Sequence, residues 1–169
     1  GISNIQGDFQ CIDYFYVKEF VMPFIRVAGD MTIALNSGSV NTAAEIEFPK
    51  LQEIGGTLTL GTNKNANNIT FPLLKKILGS CSVTTYKLKN DIEFTNLESI
   101  GTDGADAQIK FEIEATNILC PKLKTINGKF DIATSSFMFD MEVDKVSYPN
   151  VESISENLSI TCPYSDFGS

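Results

Sequence analysis

The sequence predicts a β-rich solenoid of about seven coils with parallel sheets. Three observations carry that expectation. One phrase recurs along the chain: an apolar residue, Pro, Leu, Ile and Gly, then an alternating apolar pair. Its apolar positions alternate with period two, which belongs to strands and not to helices. The marking positions 5, 27, 54, 77, 100, 126 and 154 are 22 to 28 residues apart, the period of stacked units that cannot bury an apolar side alone.

Ile5-Gln6-Gly7-Asp8-Phe9-Gln10-Cys11 opens the series without its Pro half. Val27-Ala28-Gly29-Asp30-Met31-Thr32-Ile33 follows, with Met22-Pro23 one residue too close to it. The clearest copies are Phe48-Pro49-Lys50-Leu51-Gln52-Glu53-Ile54-Gly55-Gly56-Thr57-Leu58-Thr59-Leu60 and Cys120-Pro121-Lys122-Leu123-Lys124-Thr125-Ile126-Asn127-Gly128-Lys129-Phe130-Asp131-Ile132. Anchoring on the residue before Pro aligns Phe48, Phe71, Cys120 and Tyr148, and Phe94 takes the same place with Thr95 where Pro is expected. Two positions earlier stand the β-branched residues Ile46, Ile69, Ile92, Ile118 and Val146, which suit a strand facing a core. Three positions after the anchor come Leu51, Leu74, Leu97, Leu123 and Val151, and six after come Ile54, Ile77, Ile100, Ile126 and Ile154. Gly56, Gly79 and Gly128 precede the pairs Leu58/Leu60, Cys81/Val83 and Phe130/Ile132, while Glu156 holds the glycine position before Leu158/Ile160.

Each coil is expected to hold two short strands, one ending at the anchor and one at the alternating pair. Pro cannot donate to a ladder, so the Pro-x-x-Leu piece marks a corner with a short 3₁₀ turn. The glycine is expected to permit a tight bend or a positive φ. Stacking at about 4.8 Å per coil would make a rod roughly 30 Å long. Variation is confined to loops, such as Asn36 to Ala43 and Gly61 to Asn68, and to insertions at Thr102 to Ala107 and Ser135 to Asp144. The second insertion alternates and reads as an extra strand with an acidic outer face. Residues 1–169 form one domain, and the repeat entering mid-phrase at Ile2 predicts a piece of a longer exported chain.

Composition removes several function classes. Thirteen basic residues stand against 21 acidic ones, for a net charge of −8. With no basic cluster in the sequence, neither nucleic acid nor an anionic membrane is an expected partner. No apolar run is long enough to span a bilayer. Histidine is absent, which removes the commonest general base and metal ligand. No cofactor is expected, and the chain is not read as an enzyme. A lyase on a β-helix would want a basic catalytic residue among clustered acids, and Arg26 is the only arginine.

The candidate sites each have a plainer alternative. Cys11 and Cys81 occupy inward strand positions, Cys120 replaces an anchor Phe, and Cys162-Pro163 repeats the anchor pair. Buried free thiols are the favoured reading and a disulfide the alternative, because Cys11 and Cys81 are three coils apart, about 14 Å at the strand spacing. Asp103 and Asp106, with the strand face Asp140, Glu142 and Asp144, form a weak Ca²⁺ candidate that also reads as a solvated acidic face. The outward positions after the glycines, among them Thr32, Thr57, Thr59, Ser80, Ser82, Lys129 and Asp131, make a small, polar ladder. Such a face can dock a protein or a glycan or stand as a solvated wall. Tyr14 and Tyr16 can stack on a sugar or cap the core. Asn68-Ile69-Thr70 and Asn157-Leu158-Ser159 match the glycosylation sequon.

Leu-x-x-Ile-x-Gly-x-Leu-x-Ile with an aromatic-Pro corner resembles the receptor L domain of the insulin and epidermal growth factor receptors. Val27 to Asn36 is similar to the second-coil strand of those domains. The Phe-Pro-x-Leu repeats are also similar to fungal GPI-anchored cell-wall proteins and to leucine-rich surface proteins of bacteria. The resemblance covers most of the chain. It implies a right-handed β-helix of the leucine-rich-repeat or receptor L domain-like type. It also implies an extracellular or cell-surface module that binds a ligand or surface without catalysis. L domains flank Cys-rich modules, which this sequence lacks, so growth-factor binding does not carry over. A structural spacer within a surface protein is the alternative, and a carbohydrate-active β-helix enzyme is the least favoured.

Overall fold

A five-residue run that alternates apolar and polar residues can bury only one face, so each strand needs a neighbour on either side and a core beside it. The chain meets that need as a parallel β-solenoid. The computed structural model describes residues 1–13, 19–35, 44–62, 66–85, 92–102, 107–113, 117–133, 145–147 and 150–161. Among these residues every regular element is a strand, and successive strands pass to three sheets in strict rotation. A narrow sheet has seven two-residue strands, Asn4–Ile5, Arg26–Val27, Glu53–Ile54, Lys76–Ile77, Ser99–Ile100, Thr125–Ile126 and Ser153–Ile154. A broad sheet has seven longer ones, Phe9–Asp13, Met31–Leu35, Leu58–Thr62, Cys81–Thr85, Ala107–Ile113, Gly128–Ala133 and Leu158–Thr161. The third has six, Glu19–Val21, Ala44–Glu47, Ala66–Thr70, Ile92–Glu93, Asn117–Leu119 and Lys145–Ser147.

Each coil therefore carries three strands where the sequence predicts two. The additional one is the narrow-sheet strand, such as Glu53–Ile54, and two residues are too few to show an alternation. The corner differs as well. Leu51, Leu74, Leu97 and Leu123 each donate a backbone N–H to the carbonyl three residues earlier, on Phe48, Phe71, Phe94 and Cys120. One such bond closes a β-turn, with Pro49, Pro72 and Pro121 at the position that a fixed φ suits. No 3₁₀ segment occurs among the described residues.

Registered pairing places like residues above like. Val27, Ile54, Ile77, Ile100 and Ile126 form one fully buried column, and Met31, Leu58 and Cys81 begin another. Phe48, Phe71 and Phe94 stack with centroids 5.1 and 5.2 Å apart and planes within 6°. Burying one such side chain stabilises by about 1.5–3 kcal/mol, and each ring pair adds about 0.5–1.5 kcal/mol. The early coil, whose Met22-Pro23 spacing breaks the phrase, completes the stack with Phe24. That ring lies 6.0 Å from Phe48 and 4.9 Å from Phe9. Cys120 takes the anchor position after Phe94 and is fully buried.

Of the three glycines expected to permit a tight bend or a positive φ, Gly128 has the positive φ and Gly56 and Gly79 do not. Among the described glycines only Gly101 and Gly128 have positive φ, at 80° and 148°. Gly56 and Gly79 are required by close approach. A Cβ at Gly79 would come within 2.7 Å of the Gly56 backbone, and one at Gly56 within 2.8 Å of the Gly29 backbone. The amides of Gly29, Gly56 and Gly79 donate to the carbonyls of Gly7, Gly29 and Gly56 at 2.9–3.0 Å. The ladder thus runs through the corner without a break.

Candidate binding face

The broad sheet presents the candidate face. Its register sets Gln10, Thr32, Thr59 and Ser82 in one outward column, and the backbone pairing carries the same line through positions Lys110, Asp131 and Ser159. Four of the seven expected face residues, Thr32, Thr59, Ser82 and Asp131, therefore share one line parallel to the solenoid axis. Thr57, Ser80 and Lys129 precede their strands' inward residues and belong to a neighbouring column. Thr59 and Lys129 are exposed, and Thr32, Thr57, Ser80 and Ser82 are half-buried. Lys110 belongs to the same line, and the insertion before it hides its place in the repeat.

The edge of this face is fixed by an aspartate relay. Asp8 Oδ1 accepts the Asp30 amide at 2.8 Å, and Asp30 Oδ1 accepts the Thr57 amide at 2.7 Å. Each carboxylate thus satisfies a backbone donor of the next coil at the point where the chain turns between sheets. The glycine one coil up leaves room for it, because a Cβ at Gly29 or Gly56 would collide with that carboxylate. Asparagine serves the opposite corner. Asn96 Nδ2 donates to the Pro72 carbonyl at 2.5 Å, and Asn150 Nδ2 donates to that of Pro121.

The other two faces differ in charge. The corner amides of Lys75, Glu98, Lys124 and Glu152 donate to the carbonyls of Gln52, Lys75, Glu98 and Lys124 in the preceding coil, so charges alternate along that line. Lys124 Nζ lies 3.9 Å from Glu152 Oε1, and Arg26 Nε lies 2.8 Å from Glu53 Oε1. Exposed pairs of this kind contribute about 0–1 kcal/mol. Asn4, Ile25, Arg26, Gln52, Glu53, Lys75 and Lys76 line an open depression of about 230 Å³. The sequence hides this basic group because stacking, and not proximity along the chain, assembles it. Glu53 lies between Arg26 and Lys76 in the register and offsets part of its charge. On the third sheet Glu19 pairs with Glu45, and Glu47 and Glu93 flank Thr70, giving a mostly acidic face.

The thiols are in apolar surroundings. Cys81 and Cys120 are buried free thiols, and Cys11 is half-buried. Burial pushes the Cys120 thiol up from 9.0 to about 12. Burial also raises the Cys81 thiol strongly, with Cys120 nearby as a lesser cause. A thiol held protonated in this way is a poor nucleophile and a poor ligand. Cys162, Tyr14, Tyr16 and the Ca²⁺ candidates Asp103, Asp106, Asp140, Glu142 and Asp144 lie outside the described residues. Among the described residues no three His, Cys, Asp or Glu side chains gather closely enough to hold a metal. Asn157, Leu158 and Ser159 of the second sequon are all exposed.

Comparison with protein-family models, with curated proteins and with solved structures finds no match for this chain.

Proposed function

We propose that this chain is a non-catalytic binding or adhesion module at the cell surface or in the extracellular space. On this reading it is a solenoid of about seven coils, of the receptor L domain-like or leucine-rich-repeat type. The observation that carries the reading is the registered column of polar residues, Gln10 followed by the short Thr32, Thr59 and Ser82, on a broad sheet. Short side chains on a paired sheet hold their hydroxyls close to the backbone, at a fixed spacing from coil to coil. They lose little rotamer entropy when a partner covers them. A protein or a glycan offering complementary hydroxyls and amides is the matching partner. Buried, protonated thiols and a chain without histidine support a role without catalysis.

The test is binding of the chain to glycan and extracellular-matrix protein arrays, with and without Ca²⁺, beside a Thr59→Lys/Ser82→Lys variant. A saturable signal that the double variant loses supports the reading and places the partner on the broad sheet. A signal that the variant retains moves the site to another face. No signal favours the spacer.

A further inference from the structure

We propose that the depression on the narrow sheet binds an acidic glycan, one whose carboxylate or sulfate groups are separated by neutral sugars. The site belongs to the interior of the stack. Arg26, Glu53 and Lys76 follow one another in the register, with Asn4 paired below them and Ser99 above. Lys75 stands beside Lys76, and Gln52 beside Glu53, on the same depression of about 230 Å³. Three cations therefore meet one carboxylate on a chain whose net charge is −8. The depression is separate from the polar column of the broad sheet, so the inference stands whether or not that column binds.

The donors are placed for a ligand. Among the described residues Arg26 gives only its side-chain Nε, to Glu53 Oε1 at 2.8 Å. Its terminal nitrogens remain, and they form the fork that grips a carboxylate or a sulfate through two hydrogen bonds. Glu53 thus orients the guanidinium without using it up. Among the described residues neither Lys75 nor Lys76 has an ion-pair partner. Arg26 and Lys76 are two coils apart, about 10 Å at the strand spacing, and Glu53 stands between them. An acid group set against Glu53 would be repelled, whereas a hydroxyl can donate to it. The matching ligand has acid groups at either end and hydroxyls in the middle, which an acidic glycan supplies and a dense polyanion does not. Gln52 adds an amide for further hydroxyls, and Ile25, 38% exposed, offers an apolar surface to the C–H face of a sugar ring. An extended peptide is less suited. The Lys75 amide donates to the Gln52 carbonyl at 2.9 Å and the Gln52 amide to the Ile25 carbonyl at 2.8 Å, so such a peptide finds no sheet edge to join. The mostly acidic third sheet turns an anionic chain away from that face.

The experiment titrates the chain calorimetrically with oligosaccharides of hyaluronan, which carries carboxylates alone, and of monosulfated keratan sulfate, which carries sulfates alone. Neutral dextran and poly-glutamate are the controls. A chelator is present throughout, so that no divalent cation bridges a ligand to the acidic face. The expected result is saturable binding of at least one acidic glycan, weaker at higher salt, with dextran unbound and poly-glutamate at least about tenfold weaker. The arm that binds names the acid group. Lys76→Glu should weaken binding by about tenfold or more, and Arg26→Ala by about fivefold. Lys122→Glu makes the same change of net charge as Lys76→Glu, outside the depression, and should leave binding within about twofold. All three side chains are exposed, and circular dichroism checks that each variant keeps its fold. Absence of binding by both glycans overturns the proposal. So does poly-glutamate that binds as tightly, a Lys76→Glu variant that binds unchanged, or a Lys122→Glu loss equal to that of Lys76→Glu.

Discussion

Gly79 and Gly7 occupy the same place in the repeat and have opposite surroundings. Beneath Gly79 the backbone of Gly56 leaves no room for a methyl group, and beneath Gly7 there is nothing within 4 Å. The same contrast runs through the columns. Ile54 and Ile77 are sealed by coils on both sides, while Ile5 at one end and Ile154 at the other are only half-buried. A repeat residue in a solenoid therefore answers to the coil next to it more than to its own strand. Stability should be highest between two coils and should fall toward either end.

The largest effect is expected at the rings. Phe71→Ala opens the middle of the stack and should cost about 3–5 kcal/mol. Phe9→Ala, at a half-buried ring, should cost less than half as much. Denaturant titration of both variants checks this, and equal losses would erase the distinction between middle and end.

An alkaline effect at the thiols follows. The Cys120 pKa is raised to about 12 from 9.0, so its stabilising contribution is complete below about 9. It is lost as pH rises from there toward 12, where only the unfolded chain deprotonates freely. A pH series of unfolding midpoints should decline above 9, less steeply in Cys120→Ala. Under native conditions Cys11 should react with a thiol reagent well before Cys81 and Cys120.

Asp30→Ala removes the acceptor of the Thr57 amide and should cost about 1 kcal/mol. Arg26→Ala breaks an exposed ion pair and should change stability by less than about 1 kcal/mol.

The interior columns were legible in the sequence because Ile54, Ile77, Ile100 and Ile126 recur at one offset from Pro or its replacement. The outward polar column could be read from the same alternation, including Thr32, Thr59, Ser82 and Asp131. The narrow sheet could not, since two residues carry no period. Phe24 escaped because it stands at the leucine position, three residues before Val27, and reaches the ring stack from there. The relay of Asp8 and Asp30 was also hidden. Its hydrogen bonds join residues 22 and 27 apart, and the same corner accepts Thr57 and Ser80 in later coils. The depression lined by Arg26, Lys75 and Lys76 depends on stacking in the same way.

Thermal unfolding of Gly79→Ala and Gly7→Ala tests the central claim most directly. If the glycine column exists to let one coil lie on another, Gly79→Ala should lose about 1–3 kcal/mol. Gly7→Ala should stay within about 0.5 kcal/mol of the wild type or gain slightly from the stiffer unfolded chain. Equal losses at both positions, or no loss at Gly79, would contradict it.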